Sequence, residues 1–325
     1  MQRGDMMKRH LFFWGVFLVC GLLFWGCSEK AGPEQESSAG TGADLFAGNP
    51  GEGQGETSLP SARPAGGGEA ASDKSAGKGK AISTPMPQEV GYKVCLIGNS
   101  LIQYGNQARF LGDIALGYGM RITVDQITWG GAYLSDYVDG IYLEKSVVKK
   151  RLKRADIVVF QDYGGWQGKR TVKAIKNLKK WCKEKARCFY YMYEEDDVEM
   201  ESSDYRKLEG LNLKLIPKGQ LIDAVSDRSY PYEDLHMEND FHPNSFNGYL
   251  AALAMHAVIF GQKCQNYPEE WFFQEREGSL GDSMKEVRET LRGDSEKEKW
   301  EEFQAICRQA DLLVQRTAAI HGGRK

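Results

Sequence analysis

The chain is poor in the residues that build metal centres and covalent frameworks. It has five histidines in 325 residues, and its seven cysteines form no Cys-x-x-Cys pair and no spacing of the kind that holds zinc. A metal-dependent chemistry and a disulfide-stapled scaffold are therefore both disfavoured; Cys95, in the first strand, reads as a buried small hydrophobe, and one bridge among Cys182, Cys188, Cys264 and Cys307 stays open. Charge of one sign is also lacking. A formal net charge of −3 excludes the positive excess with which nucleic-acid binders meet phosphates. Long apolar runs are scarce too: the one stretch of note, Leu11 to Trp25, falls short of the ~20 residues that span a bilayer comfortably.

That stretch has another reading. Arg3, Lys8 and Arg9 precede it and Gly26-Cys27 follows it, so a basic region, an apolar region and a small residue before cysteine stand in secretory order. The arrangement resembles a bacterial lipoprotein signal over residues 1–27, which implies lipidation of Cys27 and an extracytoplasmic, membrane-anchored chain. Phe24 and Trp25 are bulkier than is usual there. Residues 28–88 are dominated by Gly, Ser, Ala, Glu and Pro and hold too few large apolar side chains to offset their ordering entropy. They read as a disordered tether. The remainder, 89–325, suffices for one domain with a sizeable core.

Within it, apolar runs alternate with helical periods. Strands are expected at Lys93 to Ile97, Arg121 to Thr128, Asp156 to Phe160, Cys188 to Tyr193 and Asn212 to Ile216. Helices are expected at Asn106 to Gly117, over most of Leu134 to Arg154, along Val172, Ile175, Leu178, Trp181 and Cys182, at Gly219 to Ser226, at Asn247 to Phe260, and from Trp300 to Val314. Such alternation implies a three-layer α/β/α fold with a mostly parallel sheet. The basic clusters Lys149 to Arg154 and Lys173 to Lys185 read as solvated helix faces, offset by the acidic run Glu194 to Asp197, itself expected to be a solvated loop rather than a cation site.

Two segments carry chemistry. The first strand ends in Gly98-Asn99-Ser100-Leu101, a turn that exposes Ser100 at the strand's carboxyl end, where open α/β sheets place their ligands. A serine hydroxyl needs a base, an orienting group for that base and donors for an oxyanion. His242, in Asn239-Asp240-Phe241-His242-Pro243 just before a helix, is the best base. His10 lies in the N-terminal segment, His256 inside a helix and His321 in the tail, with His236 in reserve.

These blocks, with Gly130-Gly131 after the second strand and a Gly-Tyr-Leu-Ala-Ala helix after His-Pro, resemble the SGNH hydrolase superfamily, or GDSL esterases, with Asn99 in place of that motif's aspartate. The absence of Gly-x-Ser-x-Gly speaks against the α/β-hydrolase fold. The resemblance implies an SGNH or flavodoxin-like sheet, no cofactor, Ser100 as nucleophile, His242 as base, and the amides of Ser100 and Gly131 as oxyanion donors. Two positions depart from the family. Its aspartate stands three residues before the histidine, where this chain has Asn239, so Asp240, Asn239 or a main-chain carbonyl is left to orient His242. Its Gly-x-Asn-Asp block is here Gln161-Asp162-Tyr163-Gly164, so Gln161 is the nearest amide to serve as oxyanion donor. Small acyl esters, acetyl among them, on small molecules or polysaccharide are the implied substrates. The alternative is an inactive carbohydrate-binding or cell-surface protein on the same fold.

Overall fold

Ile157-Val158-Val159-Phe160 is apolar at every position because a parallel strand covered by helices on both faces has no solvent side to leave polar. In the computed structural model, which describes residues 88–322 apart from 164–165, 194–199, 201 and 229, that segment is β3, the centre of a five-stranded sheet. Its companions are β1 (Gln88–Gly98), β2 (Met120–Thr128), β4 (Arg187–Tyr191) and β5 (Lys214–Ile216). All neighbouring strands are parallel, in the order β2-β1-β3-β4-β5. Reading outward from β1, the chain first goes to β2 on one side and then to β3 on the other. The order of strands thus reverses between β1 and β3, and it is beyond the carboxyl ends at such a reversal that doubly wound sheets bind ligands.

Alternate residues of each strand feed two separate cores. Val94, Leu96, Ile157, Val159, Phe189 and Tyr191 face one; Cys95, Ile97, Val158, Phe160, Cys188 and Tyr190 face the other. The three-layer α/β/α architecture follows directly. The second face is covered by α3 (Leu134–Asp139), α4 (Lys145–Arg154), α5 (Lys169–Lys179) and α6 (Ser202–Glu209). The stretch Leu134 to Arg154, expected to be mainly helical, holds two helices, because Gly140 takes φ 75° and ends α3.

The first face carries α1 (Ser100–Gln103), α2 (Gln107–Gly117), α7 (Lys218–Arg228), α8 (Ser245–Phe260), α9 (Glu269–Phe273), α10 (Gly278–Thr290) and α11 (Glu296–Gly322). The helical period over Asn247 to Phe260 predicts that Leu250, Leu253, Ala254 and Ala257 face inward. Instead α8 is buried nearly all round, because α10 and α11 pack over its outer side through Met284, Val287, Phe303, Ile306 and Cys307. The helices within 261–299 carried no sequence expectation. Cys95, Cys182, Cys188, Cys264 and Cys307 are free thiols. None of the described helices is long and apolar enough to cross a membrane. The signal, Cys27, the tether and the acidic run Glu194 to Asp197 lie outside the described residues.

Candidate active site

β1 hands the chain to Ser100 through Asn99. Asn99 is fully buried and caps α1, its Oδ1 accepting the N–H of Leu101 at 2.9 Å. Ser100 is the first residue of that helix, where an N–H has no intrahelical acceptor. It is 9 % exposed.

The loops after β1, β2 and β3 are sewn together by side-chain amides and one carboxylate. Asn99 Nδ2 donates to the carbonyl of Ala132 at 3.2 Å, and the N–H of Asn99 donates to Gln161 Oε1 at 3.0 Å. Asp162, also buried, accepts the N–H groups of Leu134 at 2.9 Å and Tyr163 at 3.0 Å on Oδ1, and the hydroxyl of Thr171 on Oδ2. Burial pushes the Asp162 carboxyl up, and those three donors pull it back. Gln161 turns its Nε2 to the carbonyl of Asp162, so both ends of its carboxamide are engaged within the loop scaffold.

Gly131 lies in the turn closed by the Ala132 N–H on the carbonyl of Trp129 at 3.1 Å. Its φ of 70° is left-handed, a conformation that favours glycine. A Cβ built on it would come no nearer than 3.9 Å, to the Tyr163 ring, which leaves room above the peptide. Through Ala132 and Asn99 this turn is fastened beside the peptide that leads into Ser100.

The imidazole arrives from the other side. Met237 N–H donates to the carbonyl of His242 at 2.8 Å, and Asp240 N–H to the carbonyl of Met237 at 3.0 Å, closing a tight loop that passes through Asn239 at φ 58°. That left-handed residue turns Asp240 back on the ring: both carboxylate oxygens lie 2.8 Å from His242 Nδ1. Accepting this bond holds the Asp240 carboxyl below its ordinary value. In the neutral ring Nδ1 then carries the proton, and Nε2 is left as the acceptor.

Two contacts bring His242 toward the serine turn. Its ring sits 4.4 Å from that of Tyr104, centroid to centroid, and the N–H of Tyr104 donates to the carbonyl of Ser100. Two residues past His242, Asn244 caps α8, whose Gly248 lies against Gly105: a Cβ on Gly248 would be 1.8 Å from the Gly105 oxygen. Ser100 and His242 are not hydrogen-bonded to each other among the described contacts; Asp240 and His242 are. The reserve base His236 is 3 % exposed, stacked on Tyr232 at 3.6 Å, with Nδ1 2.9 Å from the Tyr232 carbonyl.

Sequence reasoning missed the joining roles of Asn99 and Asp162. Their only sequence signal is polarity directly after a buried apolar strand. Of Trp129, Tyr133 and Trp166, aromatic residues that could line a cleft but are more often core, Trp129 is exposed and stacks on Tyr142 at 5.5 Å while Trp166 is buried; the exposed Tyr104, Tyr142, Tyr163 and Phe241 carried no expectation.

No family model matches the chain, and no curated protein matches it. Solved structures do. A DUF4886 family protein from Bacteroides uniformis is 15% identical, covering 68% of this chain and 95% of its own, with a TM-score of 0.47. A protein proposed to be an SGNH hydrolase, from Slackia heliotrinireducens, is 16% identical over 52% of this chain and 99% of its own, with a TM-score of 0.41. A mutant of an acetyl-xylooligosaccharide esterase from Geobacillus is 15% identical over 52% and 94%, with a TM-score of 0.38. At these identities and scores the likeness says nothing of chemistry, which rests on the residues above.

Proposed function

We propose that this chain is an extracytoplasmic serine ester hydrolase that cleaves small acyl esters, acetyl esters among them, through Ser100, His242 and Asp240. The observation that carries the reading is the clamped imidazole: a carboxylate fixes Nδ1, and the ring leans on Tyr104, whose main chain is bonded to that of Ser100. In turnover His242 Nε2 takes the proton of Ser100 Oγ as that oxygen attacks the ester carbon. The oxyanion is received by the N–H groups of Ser100 and Gly131. Collapse expels the alcohol, which leaves with the proton held by His242. Water, deprotonated by the same nitrogen, then frees the acid and restores Ser100. Asp240 stays ionised throughout because its carboxyl is held low. No cofactor enters these steps.

The exposed rim of Trp129, Tyr142 and Phe241 suits an alcohol partner with apolar faces, such as an acylated sugar or polysaccharide. The N-terminal segment belongs to the same proposal: lipidation at Cys27 and a tether to about residue 88 would place the domain at a membrane surface within reach of polymeric substrate. Purified protein should hydrolyse 4-nitrophenyl acetate, and Ser100→Ala should abolish the reaction. Equal rates for both proteins would overturn the proposal. One observation favours a second reading, a carbohydrate-binding protein without turnover: the Gln161 carboxamide is engaged by Asn99 and Asp162.

A further inference from the structure

Residues 145–187 carry fifteen Lys and Arg against three Asp and Glu, in a chain whose formal net charge is −3. The first basic cluster falls on α4, the second begins on α5 and runs past its end, and both helices pack on the same layer. Lys149 Nζ lies 4.9 Å over the ring of Trp181, just beyond the end of α5. Val148 and Leu152 of α4, and Ala174, Ile175 and Leu178 of α5, point into the core. The opposite faces present Lys150, Lys153, Arg154, Lys173 and Lys176 to solvent, none with an ion-pair partner among the described contacts. Of the three acidic residues in the stretch, Asp156 pairs with Lys183 and Asp162 is buried, so Glu184 alone is an exposed, unpaired carboxylate. The two clusters therefore share one layer and meet where Lys149 covers Trp181. The rest of the chain is strongly acidic.

We propose that this α4–α5 surface docks the domain onto an anionic lipid surface. Three observations favour lipid over another polyanion. The solvent-facing set Lys150, Lys153, Arg154, Lys173 and Lys176 is lysine-rich, and lysine is a mobile point charge suited to a fluid headgroup layer, whereas rigid phosphate or carboxylate recognition favours arginine forks. Its one aromatic near the seam, Trp181, lies under Lys149, so no stacking platform is offered to a sugar or a base. Two helices on one layer also give a broad face that can bring many charges to a plane at once. The choice of lipid as occupant rests on the anchoring part of the proposed function. If the segment of some sixty residues before the domain is the tether proposed above, as a random coil it would span roughly 45 Å and keep a weak electrostatic contact at high effective concentration.

The test uses the full chain with vesicles of phosphatidylcholine alone or with phosphatidylglycerol, followed by flotation and by lysine acetylation mapped by mass spectrometry. Docking predicts that Lys150, Lys153, Lys173 and Lys176 are protected on phosphatidylglycerol vesicles at about 0.1 M salt, where the Debye length is about 10 Å, and regain reactivity at high salt. Reversing those four lysines to glutamate should lower the phosphatidylglycerol-dependent partitioning by roughly 10²-fold or more. Flotation on both vesicle types without protection would support the anchor and overturn the docking. Flotation on phosphatidylglycerol alone, with protection, would support docking and count against the anchor. Salt-sensitive binding to an acidic polysaccharide, with no protection on vesicles, would overturn the lipid assignment. The wild-type comparison between lipids stands whether or not the charge-reversed variant folds.

Discussion

The carboxamide oxygen of Gln161 accepts the main-chain N–H of Asn99 at 3.0 Å, bridging the carboxyl ends of β1 and β3 where the order of strands reverses. The bond fixes the peptide that leads into Ser100. It also explains why Gly98 has no side chain, since a Cβ there would stand 2.4 Å from that same oxygen.

Replacing Gln161 by leucine strands a buried N–H, which costs about 1–3 kcal/mol. We expect the denaturant midpoint and the turnover on 4-nitrophenyl acetate to fall together. A loss of about 10²-fold in kcat at unchanged stability would instead make Gln161 a direct oxyanion donor.

Asp240→Asn should lower kcat by between about 10²- and 10⁴-fold, because the ring loses the carboxylate that sets its tautomer and steadies its charged form. Asn239→Gly should leave kcat close to wild type, since that position serves the loop through its φ of 58°. The reverse ranking in a side-by-side kinetic assay would assign the orienting role to Asn239.

Gly248→Ala places a carbon 1.8 Å from a main-chain oxygen of Gly105, and neither backbone can step aside without moving α8. A loss of about 3 kcal/mol is expected, at the upper end of the usual cost of overpacking. Activity should drop with it, because the turn holding Tyr104 and the loop holding His242 meet there. Thermal melts and steady-state kinetics on the same preparation check both.

Burial pushes His256 down to about 3; its Nε2 has no hydrogen-bond partner, and its ring stacks on Tyr118 at 4.5 Å. The unfolded chain binds a proton at this residue from about pH 6.5 downward. The folded chain does not until about pH 3. Stability contributed here is therefore whole above pH 6.5 and is lost as the pH falls toward 3, by up to about 1.4 kcal/mol per pH unit. Urea midpoints at pH 7 and pH 5 should differ less in His256→Phe than in wild type. Equal differences would show that the ring is already charged in the fold.

Local pattern carried much of the architecture. Four apolar residues in a row at 157–160 could only be a strand covered on both sides, and the turn Gly98-Asn99-Ser100 stood out because it ends such a run. The break at Gly140 was harder to see, since the helical period continues on either side of it. The burial of α8 on its outer face was invisible: it depends on α10 and α11, which come later in the chain and return over it.

The sequence by itself determined the alternation of strands and helices, hence a layered parallel sheet, and it supplied a serine and a histidine in segments bound for one rim. Those features depend on neighbours a few residues apart, which periodicity and turn chemistry report. The tertiary structure alone decided the partners. Asn99 reaches Ala132 and Gln161, Asp162 reaches Leu134 and Thr171, and Asp240 rather than Asn239 meets the imidazole. A side-chain hydrogen bond is set by distance and direction in space: the partners of Asn99 and the Leu134 N–H on Asp162 lie 28 to 62 positions away and are reached only when the sheet has brought their loops together, while Asp162 with Thr171 and Asp240 with His242 depend on how each loop turns.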